Sequence, residues 1–178
     1  MKIFAIDPGT DKSGWVLYDT KTHSILDKGI TDNYGLKLYI KSNIGEGLFG
    51  SVAIEMIASY GMPVGREVFE TCLYIGQIMQ MMDDAFIPCK LIYRREVKDA
   101  ICHNGKAKDP QIRQALIDEF PKTGGGNKPQ IGTKKEQGRL YGVTSHIWAA
   151  LGVAITHAKN ENKYNPDINK DLSRHLLK

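Results

Sequence analysis

The chain has little cysteine: Cys72, Cys89 and Cys102 are the only three in 178 residues. They are odd in number, widely spaced, and form no Cys-x-x-Cys pair, so neither a disulfide framework nor a zinc ribbon is indicated. Long apolar runs are missing too. No stretch approaches the ~18 uninterrupted apolar residues of a membrane span. Asp7 interrupts the N-terminal segment where a signal peptide needs apolar continuity. A cytoplasmic protein without a membrane partner is therefore expected. Neither sign of charge dominates, at a net +4, and the 42% hydrophobic and 25% charged residues are globular averages. Disorder and fibrous repeats are poor readings of such a composition. The length suits one domain, expected over residues 1–160, with a polar tail over 161–178.

The mild net charge is unevenly spread. Residues 1–89 carry 7 basic and 11 acidic side chains, whereas residues 90–139 carry 12 basic and 6 acidic. An acidic half followed by a basic stretch suits a protein acting on a polyanion. A solvated Lys-rich surface explains the composition equally well.

Apolar runs and turn residues set the elements. KIFAID (2–7) reads as a buried strand ending on an aspartate, and PGTDKSG (8–14) as a turn. WVLYD (15–19) and residues 23–30 continue a three-stranded meander. A short helix is expected over 34–44, and SVAIE (51–55) is a strand that again ends on an acid. Residues 64–82 are helical, with one apolar stripe through Val68, Cys72, Ile75, Met79 and Met82 and a second through Phe69, Leu73 and Gly76. So wide an apolar arc serves the core alone, or the core and a subunit contact. CKLIY (89–93) is a further strand, and helices follow over 95–102 and 109–120, the latter with Asp109 as N-cap and Pro110 in its first turn. Residues 121–139 hold five glycines, two prolines and five basic residues and read as a long mobile loop. A last helix runs from Thr144 to Lys159.

Two strands thus end on carboxylates, Asp7 and Glu55. Acids at corresponding ends of neighbouring strands repel unless something positive neutralises them, and a hard divalent cation does this with oxygen ligands. The last helix brings His146 in its first turn. Each residue alone has an ordinary structural explanation. Their order on strand, strand and helix carries the signal.

The segments IDPGTDKSGWVLYD, AIEMIASYGMPVG and SHIWAALGVAITH resemble the RuvC-type Holliday-junction resolvases, in particular versions encoded by bacteriophages and prophages. The resemblance covers roughly residues 1–160. It implies an α/β, ribonuclease-H-like fold, with a mixed five-stranded sheet flanked by helices. It implies metal-dependent phosphodiester hydrolysis in four-way or other branched DNA, with Asp7, Glu55 and His146 holding Mg²⁺ or Mn²⁺, two ions in all. Imidazole suits Mn²⁺ the better of the two. A homodimer would match the two-fold junction, and the protein would act in the host cytoplasm if phage-encoded. DNA contacts are expected from Lys106, Lys108, Arg113, Lys134, Lys135 and Arg139, with Tyr60 or Met62 reaching the crossover.

One position departs from the pattern. The family's last helix carries two ligands three residues apart, and the matching positions are His146 and Ala149. Alanine cannot bind metal. The departure implies a branch with fewer ligands, an inactivated site, or a protein that binds branched DNA without cutting it. An RNA-processing nuclease of the same fold is a further alternative. Asp7-x-Gly9-Thr10 also resembles the first phosphate loop of actin-like and sugar-kinase ATPases. Those need a second lobe and a second phosphate loop, for which 178 residues leave no room, so no nucleotide cofactor is expected.

Overall fold

Alternation of apolar residues builds one sheet with two covered faces. The computed structural model describes residues 1–59, 61 and 63–164. Its strands are β1 (Lys2–Asp7), β2 (Lys12–Asp19), β3 (Ser24–Asp32), β4 (Ser51–Met56) and β5 (Cys89–Tyr93). They lie in the order β3-β2-β1-β4-β5. The meander β1-β2-β3 is antiparallel, whereas β4 and β5 join β1 in parallel. The mixed five-stranded sheet is the one expected.

The helices are α1 (Asn33–Ile44), α2 (Arg66–Asp84), α3 (Arg94–Cys102), α4 (Asp109–Asp118) and α5 (Ser145–Tyr164). Side chains of period two divide between the faces. Ile3, Ala5, Val16, Ala53 and Ile92 pack against α3, α4 and α5. Phe4, Ile6, Trp15, Leu17, Val52 and Ile54 pack against α1 and α2. Asp7 and Glu55 continue the first set, so their side chains emerge on the α5 face. Helix α5 lies across β1 and β2 and is buried almost all round, through Ala150, Leu151, Val153, Ala154 and Ile155. Each large aliphatic chain buried there contributes about 1.5–3 kcal/mol. Among the described residues, no helix is long and apolar enough to cross a membrane.

Two expectations change and one is narrowed. Of the two readings of the α2 arc, the core alone does not hold: Thr71, Tyr74, Ile75, Ile78 and Met82 are buried, while Phe69 and Leu73 are 60% and 70% exposed. The second apolar stripe therefore faces outward. Asp109 is the first residue of α4 and not its N-cap, which is Lys108. The Lys108 backbone N–H donates to Gln111 Oε1 at 2.8 Å, leaving the Asp109 carboxylate available elsewhere.

The segment 121–139 is a hydrogen-bonded knuckle, not a long mobile loop. Gly124 N–H donates to the Pro129 carbonyl at 2.7 Å, Gly125 and Thr133 N–H both donate to the Glu136 carbonyl at 2.9 Å, and Leu140 N–H donates to Gln130 at 2.8 Å. Gly132, at φ 78°, and Gly138 cross so closely that neither has room for a Cβ. The glycines are there for backbone approach. Composition alone reads the same residues as freedom. The expected tail falls mostly outside the described residues, although α5 itself continues to Tyr164.

Candidate active site

Register places the charged groups. Ile6 pairs with Ile54 across the parallel β1–β4 ladder, and Met56 pairs with Tyr93 across β4–β5. Asp7, Glu55 and the residue after Tyr93, Arg94, therefore stand together at the carboxyl ends of three adjacent parallel strands. In open α/β sheets that is where ligands bind. The turn after β1 is tied down by Asn33 at the start of α1, whose Nδ2 donates to the carbonyls of Gly9 and Thr10 at 2.9 Å each. Asn33 Oδ1 accepts from the buried Ser13 hydroxyl at 2.7 Å.

Gly14 lets the last helix reach the acids. It pairs with Asp7 across β1–β2, and a Cβ on it would lie 2.6 Å from His146 Cβ and 2.7 Å from the His146 carbonyl oxygen. Without that Cβ, the first turn of α5 rests directly on β2. His146 Nδ1 then lies 2.8 Å from Asp7 Oδ2. An ionised carboxylate only accepts, so the imidazole Nδ1–H donates.

Arg94 spans two acids. Its Nη1 donates to Glu55 Oε1 at 3.4 Å and its Nη2 to Asp109 Oδ1 at 2.6 Å. Glu55 Oε2 is buried with no hydrogen-bond partner. Burial raises the Glu55 carboxyl to about 7; Arg94 pulls it down, while the charges of Asp7 and Asp109 push it up. Burial also raises Asp7, against the lowering effect of His146 and Arg94. Two carboxylates side by side, taken from water, make a site that favours a cation.

These groups line one open cavity of about 870 Å³, bordered by Arg113, Lys128, Trp148 and Ala149 and floored by Ile112, Leu116 and Ile117. The three residues expected to act together, Asp7, Glu55 and His146, all line it. Among the described residues, however, no three His, Cys, Asp or Glu side chains close into a metal cage. Ala149 presents its methyl where a further ligand would help. Asp11, in the turn after β1, is exposed and lies outside the lining of this cavity.

Of the expected DNA contacts, Arg113 lies at the cavity with its guanidinium 4.9 Å from the Trp148 ring centroid. Lys106 lines a neighbouring basic hollow with Arg94, Arg95 and Lys98. Lys108, Lys134, Lys135 and Arg139 are exposed. Tyr60 and Met62 lie outside the described residues. Sequence reasoning missed Arg94, Asp109 and Lys128. The signal for Arg94 was available: it is a charged residue directly after a strand, as Asp7 and Glu55 are charged residues at strand ends.

No protein-family model matches the chain, and no curated protein is similar to it in sequence. Solved structures do match. Thermus thermophilus RuvC in complex with a Holliday junction substrate superposes with a TM-score of 0.64 at 18% identity, covering 89% of this chain and 93% of that one. A second Thermus thermophilus RuvC structure gives 0.63 at 17% identity over the same shares. Likeness at that identity is a statement about fold. On that level the resemblance in the three sequence segments holds, and the chain has the ribonuclease-H-like fold of the RuvC resolvases.

Proposed function

We propose that the chain is a structure-selective endodeoxyribonuclease that resolves four-way and other branched DNA by divalent-metal-dependent phosphodiester hydrolysis. The observation that carries this reading is the pairing of Asp7 with Glu55 at adjacent strand ends, with His146 against Asp7, in an open cavity rimmed by cations. The similarity in fold to a RuvC that is bound to a Holliday junction supports the choice of substrate.

The residues fit a divalent ion in part. Glu55 Oε2 is a buried oxygen without a partner, Asp7 adds a second carboxylate, and His146 adds an imidazole to the same cavity. Asp7, Glu55 and His146 would hold Mg²⁺ or Mn²⁺, which takes one or two carboxylates and completes its shell with water and substrate phosphate. Such an ion supplies an activated water and stabilises charge on the phosphate. The chain's own groups do the rest. His146 fixes the Asp7 carboxylate through Nδ1–H, the apolar floor limits water, and Arg113 and Lys128 draw the backbone in. Lys106, Lys108, Lys134, Lys135 and Arg139 extend the phosphate contacts, since each neutralised phosphate strengthens binding whatever the sequence.

A homodimer suits a two-fold junction. The exposed apolar side chains Phe69 and Leu73 of α2 and Tyr34 and Leu38 of α1 would supply its face. Lys37 Nζ ties the two helices together by donating to Gln77 Oε1 at 2.8 Å. A second reading, junction binding without cleavage, is favoured by Ala149 and by the incomplete cage.

The test is cleavage of a synthetic four-way junction in Mg²⁺ and in Mn²⁺, with linear duplex and structured RNA alongside and Asp7→Asn as control. Paired nicks near the crossover, absent in the control, support the nuclease. Tight junction binding with no cleavage in either metal selects the binding protein, and preferred cutting of the RNA selects a processing nuclease.

A further inference from the structure

Resting on the nuclease reading above, we infer that Arg94, anchored by Asp109 and Glu55, is a catalytic phosphate-binding residue that provides the positive charge a second divalent ion would otherwise bring, so that each subunit binds one ion. Three observations lead there. Arg94 is the first residue of α3, positioned by β5, and Glu96 Oε2 holds that helix start by accepting from Tyr93 N–H at 2.8 Å. Its guanidinium lines the same cavity as Asp7, Glu55 and His146. Its side chain is 27% exposed, buried enough to be held and open enough to meet a ligand.

Donor counting comes next. A guanidinium has five N–H donors, and two of its nitrogens are committed, Nη1 to Glu55 at 3.4 Å and Nη2 to Asp109 at 2.6 Å. The two acids orient the group and leave further donors for a substrate oxygen. A planar fork of this kind matches a phosphate better than a lysine ammonium does.

Ligand supply is the third observation. Asp109 is committed to Arg94, so Asp7, Glu55 and His146 are the cavity side chains left to ligate an ion. Two ions would have only these three to share, because Ala149 offers a methyl. In the hydrolysis the water oxygen bonds to phosphorus and gives up a proton to solvent, the P–O3′ bond breaks, and the leaving oxygen takes a proton from solvent. Arg94 transfers no proton, since its guanidinium stays charged. It stabilises charge as that charge develops on the phosphate.

The experiment counts ions as well as cuts. Mn²⁺ bound per subunit is measured by electron paramagnetic resonance on the full chain without DNA, for wild type, Asp7→Asn, Arg94→Met and Asp109→Ala, with melting curves to establish folding. Junction cleavage and the salt dependence of junction binding follow on the same proteins. Expected are one ion in wild type, none in Asp7→Asn, and one or more in Arg94→Met. Arg94→Met loses about 10²–10³-fold in kcat, and its salt slope is shallower by about one. Asp109→Ala, altering a side chain that is 78% exposed, folds and keeps one ion but loses about tenfold in kcat, as removing an orienting partner does. A cleaving wild type with two ions per subunit, or an Arg94→Met with wild-type kcat, overturns the role of Arg94 and leaves the nuclease intact. A wild type that neither binds Mn²⁺ nor cuts overturns both.

Discussion

Gly14→Ala tests how the last helix is brought to the acids. The added methyl carbon would sit 2.6 Å from His146 Cβ and from the His146 carbonyl carbon, where ordinary contact begins at 3.4 Å. The start of α5 must therefore retreat by about 0.8 Å, the difference of those two distances. Moved along the bond, His146 Nδ1 goes from 2.8 Å to about 3.6 Å from Asp7 Oδ2, beyond hydrogen-bond reach. Gly14 does not sit at positive φ, so the conflict comes from contact alone. Overpacking of this kind costs about 1–3 kcal/mol, which lowers Tm by about 2–12 °C in a chain of this size. A displacement near 1 Å at a reacting centre costs about 10²-fold in rate. The assay is a thermal melt beside junction cleavage, with Gly45→Ala as control, because a Cβ on Gly45 meets nothing within 4 Å and its φ is −69°. A Gly14→Ala protein that melts and cuts like wild type would refute the claim that this glycine sets the position of His146.

His157 is buried at 3% exposure against Ser51 Oγ, 3.0 Å from its Nε2. Burial holds its pKa below the usual 6.5, with Lys90 lowering it further and Glu161 opposing. The folded state thus prefers the neutral ring, and stability is lost as pH falls through 6.5 toward the folded value. Melting curves should show that loss in wild type and less of it in His157→Gln, so parallel curves would contradict this account. Lys134→Ala with Lys135→Ala should shallow the salt dependence of junction binding by about two units of slope, one per contact; an unchanged slope removes both from the interface. Phe69→Glu with Leu73→Glu puts charge on two exposed positions, so folding should survive while sedimentation shows a shift from dimer to monomer. A wild type that is already monomeric at micromolar concentration would exclude α2 as a dimer face.

What the sequence determined by itself follows from local periodicity. Alternation in KIFAID and SVAIE and the apolar length of the last helix specify buried strands and a buried helix, because the spacing of apolar side chains along the chain decides which face can leave water. The order of Asp7, Glu55 and His146 on strand, strand and helix pointed to three side chains that line one cavity. Residues 121–139 were misread because glycine serves both freedom and close approach, and only the crossing of Gly132 with Gly138 shows which. The tertiary structure alone decided that Asp109, read locally as a helix cap, turns to Arg94 across 15 residues. It decided that Phe69 and Leu73 face outward while Ile75 and Ile78 face the sheet. It decided, too, that Gly14 lies beneath His146. These are contacts between elements distant in sequence, set by strand register and helix packing, and local periodicity carries no record of them.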